Sequence, residues 1–531
     1  MKKMKYKINS IASKTKNHLN SNSINYYFFL VFFHFVFNFN FSVSRHFSYL
    51  TSINDLGLFD QAIWGINNGS PFLNTFLFKN NINVLGLHFF PIISIFTPLY
   101  KIYPTPVWFL FFQSLALSTS SFLIFKLASV LKFTKNISIL FGIIYLLDFR
   151  INNTAQWDFH EISIAVPLIV LTFIAIETQN YTILTISLLS LSLCKEHFGL
   201  AILGFGVLYI KRSNEYIKGS LVCMYGLLHI YLVIFKIMPA LSNFDKHIML
   251  MENMGQLSRY SWLVNQIEKP SIDGFLTSLK FLFFRLKPIS YLLSLFFPFL
   301  MLPLFSPVMI LPAIGDISAN ALSANPMPRA IFAYHNATIS TVLLIATIVA
   351  MSKNSSIFKS FKKNKVIVSL LLVHLIFGYV FSPYHFPYSL NIWGLNSYFA
   401  SKDATLLDVK NIVKNESISV QSNIGSFFTQ RKSINTFPSV TENNKYIVLH
   451  LRNPSINNRS TETKIIGSLY HHLQMNPLDY IEEVESILKT KSFGVIFWQE
   501  PWLVLKRGST SSIQPKEIFQ RLQLLRTEWN L

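Results

Sequence analysis

The stretch YYFFLVFFHFVFNFNFSV at residues 26–43 decides the fold. Its aromatic and aliphatic side chains run round every face of a helix, so one buried core face could not take them all. A helix apolar all round reads as a membrane span. The rest of the chain agrees: of 531 residues 51% are hydrophobic, 51 are Phe and only 13% are charged, with a mean hydropathy of +0.39. A soluble domain of this length carries more charge than that, so lipid is much of this protein's solvent.

Similar apolar runs lie at 107–131, 137–149, 162–176, 181–194, 198–210, 219–239, 275–286, 289–304, 330–350 and 366–382, which makes about eleven spans, several shorter than a straight crossing needs. The segment 306–324 is left undecided between span and loop. The net charge of +21 suits nucleic acid in principle, but its lysines and arginines sit in short clusters beside apolar runs, so a membrane is the expected partner and nucleic acid is not. Those clusters, at 2–16, Lys132 with Lys135, Lys211 with Arg212 and Lys218, Arg285 with Lys287, and 353–365, all fall on the cytoplasmic side if there are eleven spans. The basic, Ser/Asn-rich start then reads as a cytoplasmic leader at 1–25 to a retained first helix, and the chain beyond the last span lies outside. Cys194 and Cys223 both fall inside apolar runs, which points to neither a disulfide framework nor a zinc site.

After residue 384 the hydropathy falls and the pattern changes. Short β-like runs at 418–421, 446–451, 494–498 and 502–506 alternate with amphipathic helical patterns at 478–489 and 515–529, predicting a small extracytoplasmic α/β domain over 384–531 behind a mainly α, polytopic transmembrane bundle over 26–383.

With that orientation the unusual polar residues gather on the outer face. The first outer loop carries Asp55, Asp60 and His88; the second carries Asp158, His160 and Glu161 after Trp157; the third is Lys195-Glu196-His197; Arg329 and His335 flank the tenth run. Each has a plainer reading. Asp55 can cap a juxtamembrane helix whose apolar stripe is Leu56, Phe59 and Ile63, with Asp60 on its solvated face. Asp158, His160 and Glu161 have the composition of a metal site without an established ligand spacing, so loop polarity is favoured. Arg329 and His335 suit interfacial anchors, and Trp64 and Trp157 suit the aromatic belt. Lys195 and Glu196 are harder to dismiss, because ionisable residues between two apolar runs normally face a cavity and pair there. Together these groups offer an acid/base site with cationic help for an anionic leaving group.

The segment Asp55-Leu56-Gly57-Leu58-Phe59-Asp60-Gln61-Ala62-Ile63-Trp64 resembles a family of predicted prokaryotic membrane proteins catalogued as domain of unknown function twenty seventy-nine. His88-Phe89-Phe90-Pro91, Pro98-Leu99-Tyr100, Trp157-Asp158-Phe159-His160-Glu161, Lys195-Glu196, Ser323-Ala324-Asn325-Pro326 and Tyr334-His335 carry the same resemblance, which runs from about residue 30 to 510. It departs from the pattern at Glu196-His197, where many relatives are expected to have a second acid. The resemblance implies a fold of the GT-C glycosyltransferase group, a polyprenyl-phosphate sugar donor and an essential acid in the first outer loop, where Asp55 and Asp60 stand. On that basis Asp55, before Asp60, is the expected catalytic base, and Lys195 and Arg329, with His335, are expected to stabilise the departing phosphate. His88, Asp158, His160, Glu161 and Glu196 are expected in the substrate site, an envelope component is the expected acceptor, and whether a divalent metal assists is left open. Two rivals remain: a transporter or flippase using the same ions, and a non-catalytic membrane scaffold.

Overall fold

The computed structural model describes residues 2–78, 81–268, 270–353, 363–384, 386–389, 403–452, 469–470, 472–490, 492–512 and 515–531. The chain is mainly helical, with a small sheet near its C-terminal end. Five stretches are long and apolar enough to cross a membrane: Ser23–Phe47, Val107–Val130, Tyr216–Ser242, Ile272–Phe299 and Tyr334–Ser352. Shorter apolar helices accompany them, among them Lys135–Leu147, Ile162–Thr178, Tyr181–Ser192, Pro307–Leu322 and Asn364–Val380.

The runs expected at 275–286 and 289–304 adjoin within one of the long stretches. Ile272–Lys280, Phe281–Leu286 and Pro288–Phe296 follow one another with only Lys287, left-handed at φ 48°, between them. Arg285 and Lys287 therefore sit inside an apolar stretch and not in a loop, which removes them from the count of basic loops. The undecided segment 306–324 contains the helix Leu311–Leu322. Most of the basic cluster at 353–365 lies outside the described residues.

The first helix, Lys2–Phe47, is less uniform than its composition suggests. Tyr27, His34, Asn38, Ser42 and Arg45 fall on one face at helical spacing, and that face meets a broken helix. Lys135–Leu147 stops at Asp148, which accepts a hydrogen bond from the backbone NH of Arg150 (2.8 Å) and so caps Phe149–Gln156. All eight residues of that second piece are buried, although four of them are Arg150, Asn152, Asn153 and Gln156. A break at membrane depth frees backbone groups that only protein can satisfy. Asn152 Nδ2 donates to the Leu146 carbonyl (2.8 Å), Ser42 Oγ to that of Ala155 (2.7 Å), and Gln156 Nε2 to Asn38 Oδ1 (2.6 Å). His34 bridges Ser118 Oγ (2.8 Å) and Asn152 Oδ1 (3.0 Å).

In the loop between the first two long apolar stretches, β1 (Leu73–Asn74) and β2 (Ile82–Asn83) form a two-stranded antiparallel ribbon. The C-terminal sheet has β3 (Ile418–Val420), β4 (Ile434–Thr436), β5 (Tyr446–His450), β6 (Phe493–Gln499) and β7 (Trp502–Arg507) in the order β4-β3-β5-β7-β6. β3 runs parallel to β4 and β5, while β7 is antiparallel to β5 and β6. Four strands match the β-like runs; the three-residue β4 is too short to show a period.

Alternation along these strands sends side chains to two faces, and both are covered. Ile447, Leu449, Leu503 and Leu505 pack with Tyr480, Ile481, Ile518 and Leu522 of the helices Pro477–Lys489 and Lys516–Glu528. Ile418, Val420, Val448 and Val504 join a different cluster with Ile53, Leu56, Phe59 and Ile63. The loop that follows the first long helix thus covers much of the second face of the sheet.

Candidate functional site

Asp55 stands on a π-helical turn, Ile53–Gly57, whose start is capped by Ser52 Oγ accepting the Asn54 NH (3.1 Å). The turn runs into the helix Leu58–Asn67. Asp158 fixes its position from the second loop: it accepts the Ser52 NH (2.7 Å) and pairs with Arg45 at the end of the first helix (3.3 Å). The Asp55 side chain remains 27% exposed and approaches His160 Nε2 at 3.7 Å. Burial, then the Asp158 charge, push its carboxyl up to about 7, with Glu161 adding to the rise and Arg45 and Lys195 acting against it. Desolvation and like charge both disfavour the ionised form, which keeps this acid near neutrality.

His160 has a fixed ring. Its Nδ1 lies 2.9 Å from the Asp158 carbonyl and must donate to it, so Nε2 is the nitrogen turned to Asp55. The ring stacks on Tyr334 with centroids 3.5 Å apart, and burial lowers its pKa to about 4. A neutral imidazole accepting at Nε2 beside a carboxyl that binds protons readily makes a pair able to hold and release one proton.

Lys195 and Glu196 were expected to pair with each other, and they do not. Lys195 Nζ pairs with Glu161 Oε1 (2.7 Å), whereas Glu196 accepts from the Phe89 NH (3.0 Å) and lies 3.1 Å from His88 Nδ1. Neighbours in a tight turn point apart, and each finds a partner from a different loop. Burial opposes both carboxylates, yet the Lys195 charge holds Glu161 below its ordinary value, and His88 holds Glu196 well below.

A cavity of about 160 Å³ opens beside these pairs, lined by His88, Lys195, Glu196, His197, His247, Arg259, Tyr260, Asp316, Asn320 and His335 among others. His197 Nε2 lies 3.0 Å from Asp316 Oδ1. Other lining groups are only partly satisfied: both ring nitrogens of His335, Nε2 of His247 and Nε of Arg259 are buried without a hydrogen bond. Polar atoms left open together around one space are the mark of a ligand-binding site. Arg259 and His247 were not among the residues singled out from sequence. Arg259 stands alone in a polar loop, and it reaches the cavity because its carbonyl accepts the Ala324 NH (2.8 Å) while Tyr260 Oη donates to Ala319 O (3.0 Å).

Three expected residues lie elsewhere. Asp60, one face round from Asp55, is fully buried and accepts from Tyr100 Oη (2.8 Å), Thr429 Oγ1 (2.6 Å) and Gln430 Nε2 (3.0 Å). Burial raises its pKa, with the three donors opposing; both its oxygens are engaged by protein donors. The Arg329 guanidinium donates to the Ser323 and Asn320 carbonyls, bracing a turn, and is not among the cavity's lining residues. Trp157 is not an interfacial belt residue: it is buried beside Phe41 and meets Tyr334 edge-on at 5.6 Å. Among the described residues no three His, Cys, Asp or Glu side chains are placed to hold a metal ion.

The model of a family described as "Predicted membrane protein (DUF2079)" matches residues 45–473, a span that takes in Asp55, His160, Lys195 and the cavity. No curated protein matches the chain.

Proposed function

We propose, for a chain that belongs to the DUF2079 family of predicted membrane proteins, an inverting transfer of a sugar from a polyprenyl-phosphate donor to an acceptor hydroxyl at the outer membrane face. The observation that supports this reading is the pairing of two unlike environments. Asp55 is a partly exposed carboxyl of raised pKa beside His160, and the neighbouring cavity holds Lys195 and the incompletely partnered Arg259 and His335.

In this reading the acceptor oxygen attacks the anomeric carbon while Asp55 takes its proton, and the bond from that carbon to the phosphate oxygen breaks. The phosphate leaves with the electron pair, its negative charge met by Arg259 and Lys195, fixed cations where charge develops. Arg259 takes the part that sequence reasoning gave to Arg329. Glu161 keeps Lys195 protonated and in place: burial disfavours its charge, but the carboxylate 2.7 Å away more than compensates.

The test is transfer by the full-length protein in proteoliposomes containing polyprenyl-phosphate-linked sugars extracted from the expressing cells. Asp55→Asn keeps shape and removes the base, so product should fall by about 10²–10⁴-fold with insertion and folding unchanged. Full product from that variant would remove Asp55 from the mechanism. A reporter fused beyond residue 384 should read outside the cell, and a cytoplasmic reading would put the site on the wrong face for this donor.

A further inference from the structure

The buried carboxylate of Asp60 is used by no step above, and its surroundings give it another task. Its three donors come from two separate parts of the chain: Tyr100 follows the first outer loop, while Thr429 and Gln430 belong to the C-terminal sheet domain. Further ties run in parallel. Gln61 Nε2 donates to Arg431 O (3.1 Å), Asn423 Nδ2 to Tyr49 O (3.1 Å), Thr75 Oγ1 to Ile434 O (2.9 Å), and Thr51 Oγ1 lies 3.1 Å from Ser426 Oγ. Those at Tyr49, Thr51 and Gln61 lie just before and just after the turn that carries Asp55. Two glycines let the surfaces close: a Cβ on Gly425 would stand 2.6 Å from Ile53 Cβ, and one on Gly57 would stand 3.0 Å from Thr429 Cγ2. The backbone of the Asp55 turn therefore lies directly against residues 425–429.

We propose that Thr429 and Asp60 are positioning residues for Asp55: the C-terminal domain is a fixed wall of the site whose hydrogen bonds to Asp60 hold the Asp55 turn at its distance from His160. This rests on Asp55 being the base. Asp60 collects three hydrogen bonds from two parts of the chain, five residues after Asp55 and within the continuous helical segment that begins at Ile53, so the anchoring at Asp60 is carried to the Asp55 turn. Small displacements of a reacting group have large effects, about 100-fold for an ångström.

Thr429→Val keeps the side-chain shape and removes one donor; Thr429→Ser restores the hydroxyl. In the proteoliposome assay the Val variant should lose about tenfold or more in kcat with little change in donor KM, and the Ser variant should recover most of it. The low-pH limb of the rate profile should also move in the Val variant, because the charged and titratable groups facing Asp55, namely Arg45, Asp158, His160, Glu161, Lys195 and Tyr334, are all retained while its distance to them changes. Labelling of Asp55 by a water-soluble carbodiimide, read by mass spectrometry of the intact protein after digestion, follows the same displacement without any activity. Gln430→Leu serves as the second variant if Thr429→Val inserts poorly. Unchanged kcat, pH profile and Asp55 labelling in a folded variant would overturn the positioning role, while Asp55→Asn losing product in the same experiment would leave the base reading standing. Full activity of Asp55→Asn would sink the base reading instead, and the labelling would still decide whether the wall holds the turn.

Discussion

At the scale of single residues, the site is a set of ionisable groups whose partners come from different loops. Asp55 has to be deprotonated to act as a base, and its carboxyl is pushed up to about 7 by burial and Asp158. A raised carboxyl pKa keeps the proton on at lower pH, so transfer should fall as pH drops below about 7 and level off above it. A rate that is flat from about pH 5 to 8 would mean that another group is the base. The two arginines should separate cleanly. Arg259→Ala removes a cation from the cavity and should lower kcat by about 100-fold, as loss of a fixed charge-stabilising donor does. Arg329→Ala removes no lining side chain and takes a donor from the Asn320 and Ser323 carbonyls, so it should lower the thermal midpoint and cost kcat far less than Arg259→Ala does. Equal effects on turnover would overturn the division of labour between them. Arg259 was hidden in the sequence because nothing near it in the chain shares its chemistry; it becomes significant through the backbone contacts that set its segment against the helix Leu311–Leu322.

At the scale of elements, the first helix shows why an apolar average is an incomplete description. Its lipid-facing residues include Phe28, Phe29, Phe32 and Phe33, all more than half exposed, whereas His34, Asn38 and Ser42 on the opposite face serve the broken helix at Asp148. Asn38 is central to that service: its Oδ1 accepts from both Gln156 Nε2 (2.6 Å) and Tyr384 Oη (2.7 Å). Asn38→Leu would remove that shared acceptor, leaving Gln156 Nε2 only the long bond to the residue-38 carbonyl (3.3 Å) and Tyr384 Oη only Asn152 Oδ1 (2.9 Å), a loss of about 1–3 kcal/mol in all. The expected outcome is a clear drop in the thermal midpoint in detergent, since water cannot replace the lost acceptor at that depth. A leucine variant as stable as the parent would show that the broken helix finds its partners elsewhere.

At the scale of the whole molecule, the helical bundle and the C-terminal sheet share a core through the loop that follows the first long helix. One face of the sheet is covered by its own helices Pro477–Lys489 and Lys516–Glu528, the other largely by residues 53–63, with Val409 and Val413 of the helix Ala404–Val413. A fragment of residues 403–531 would therefore expose Ile418, Val420, Val448 and Val504 as one apolar patch, the kind that soluble monomers avoid. It should associate or bind a hydrophobic dye when produced alone. A monodisperse fragment with a sharp thermal transition and no dye binding would show that the sheet does not need the loop.

The membrane character, most of the apolar runs and the mixed α/β nature of the C-terminal region were legible in the sequence, because burial in lipid or in a sheet leaves a periodic or compositional trace along the chain. Asp55, His160, Glu161 and Lys195 were legible too, as costly residues at the ends of apolar runs. Their pairing was not. Lys195 and Glu196 are adjacent in the chain yet bond to Glu161 and His88, and Asp55 and Asp60 look equivalent on one short helix although one meets the site and the other is enclosed by Tyr100, Thr429 and Gln430. Partners separated by 369 positions, as Asp60 and Thr429 are, leave no local pattern. Only the packing of the loop against the sheet decides which carboxylate is enclosed and which stays partly exposed.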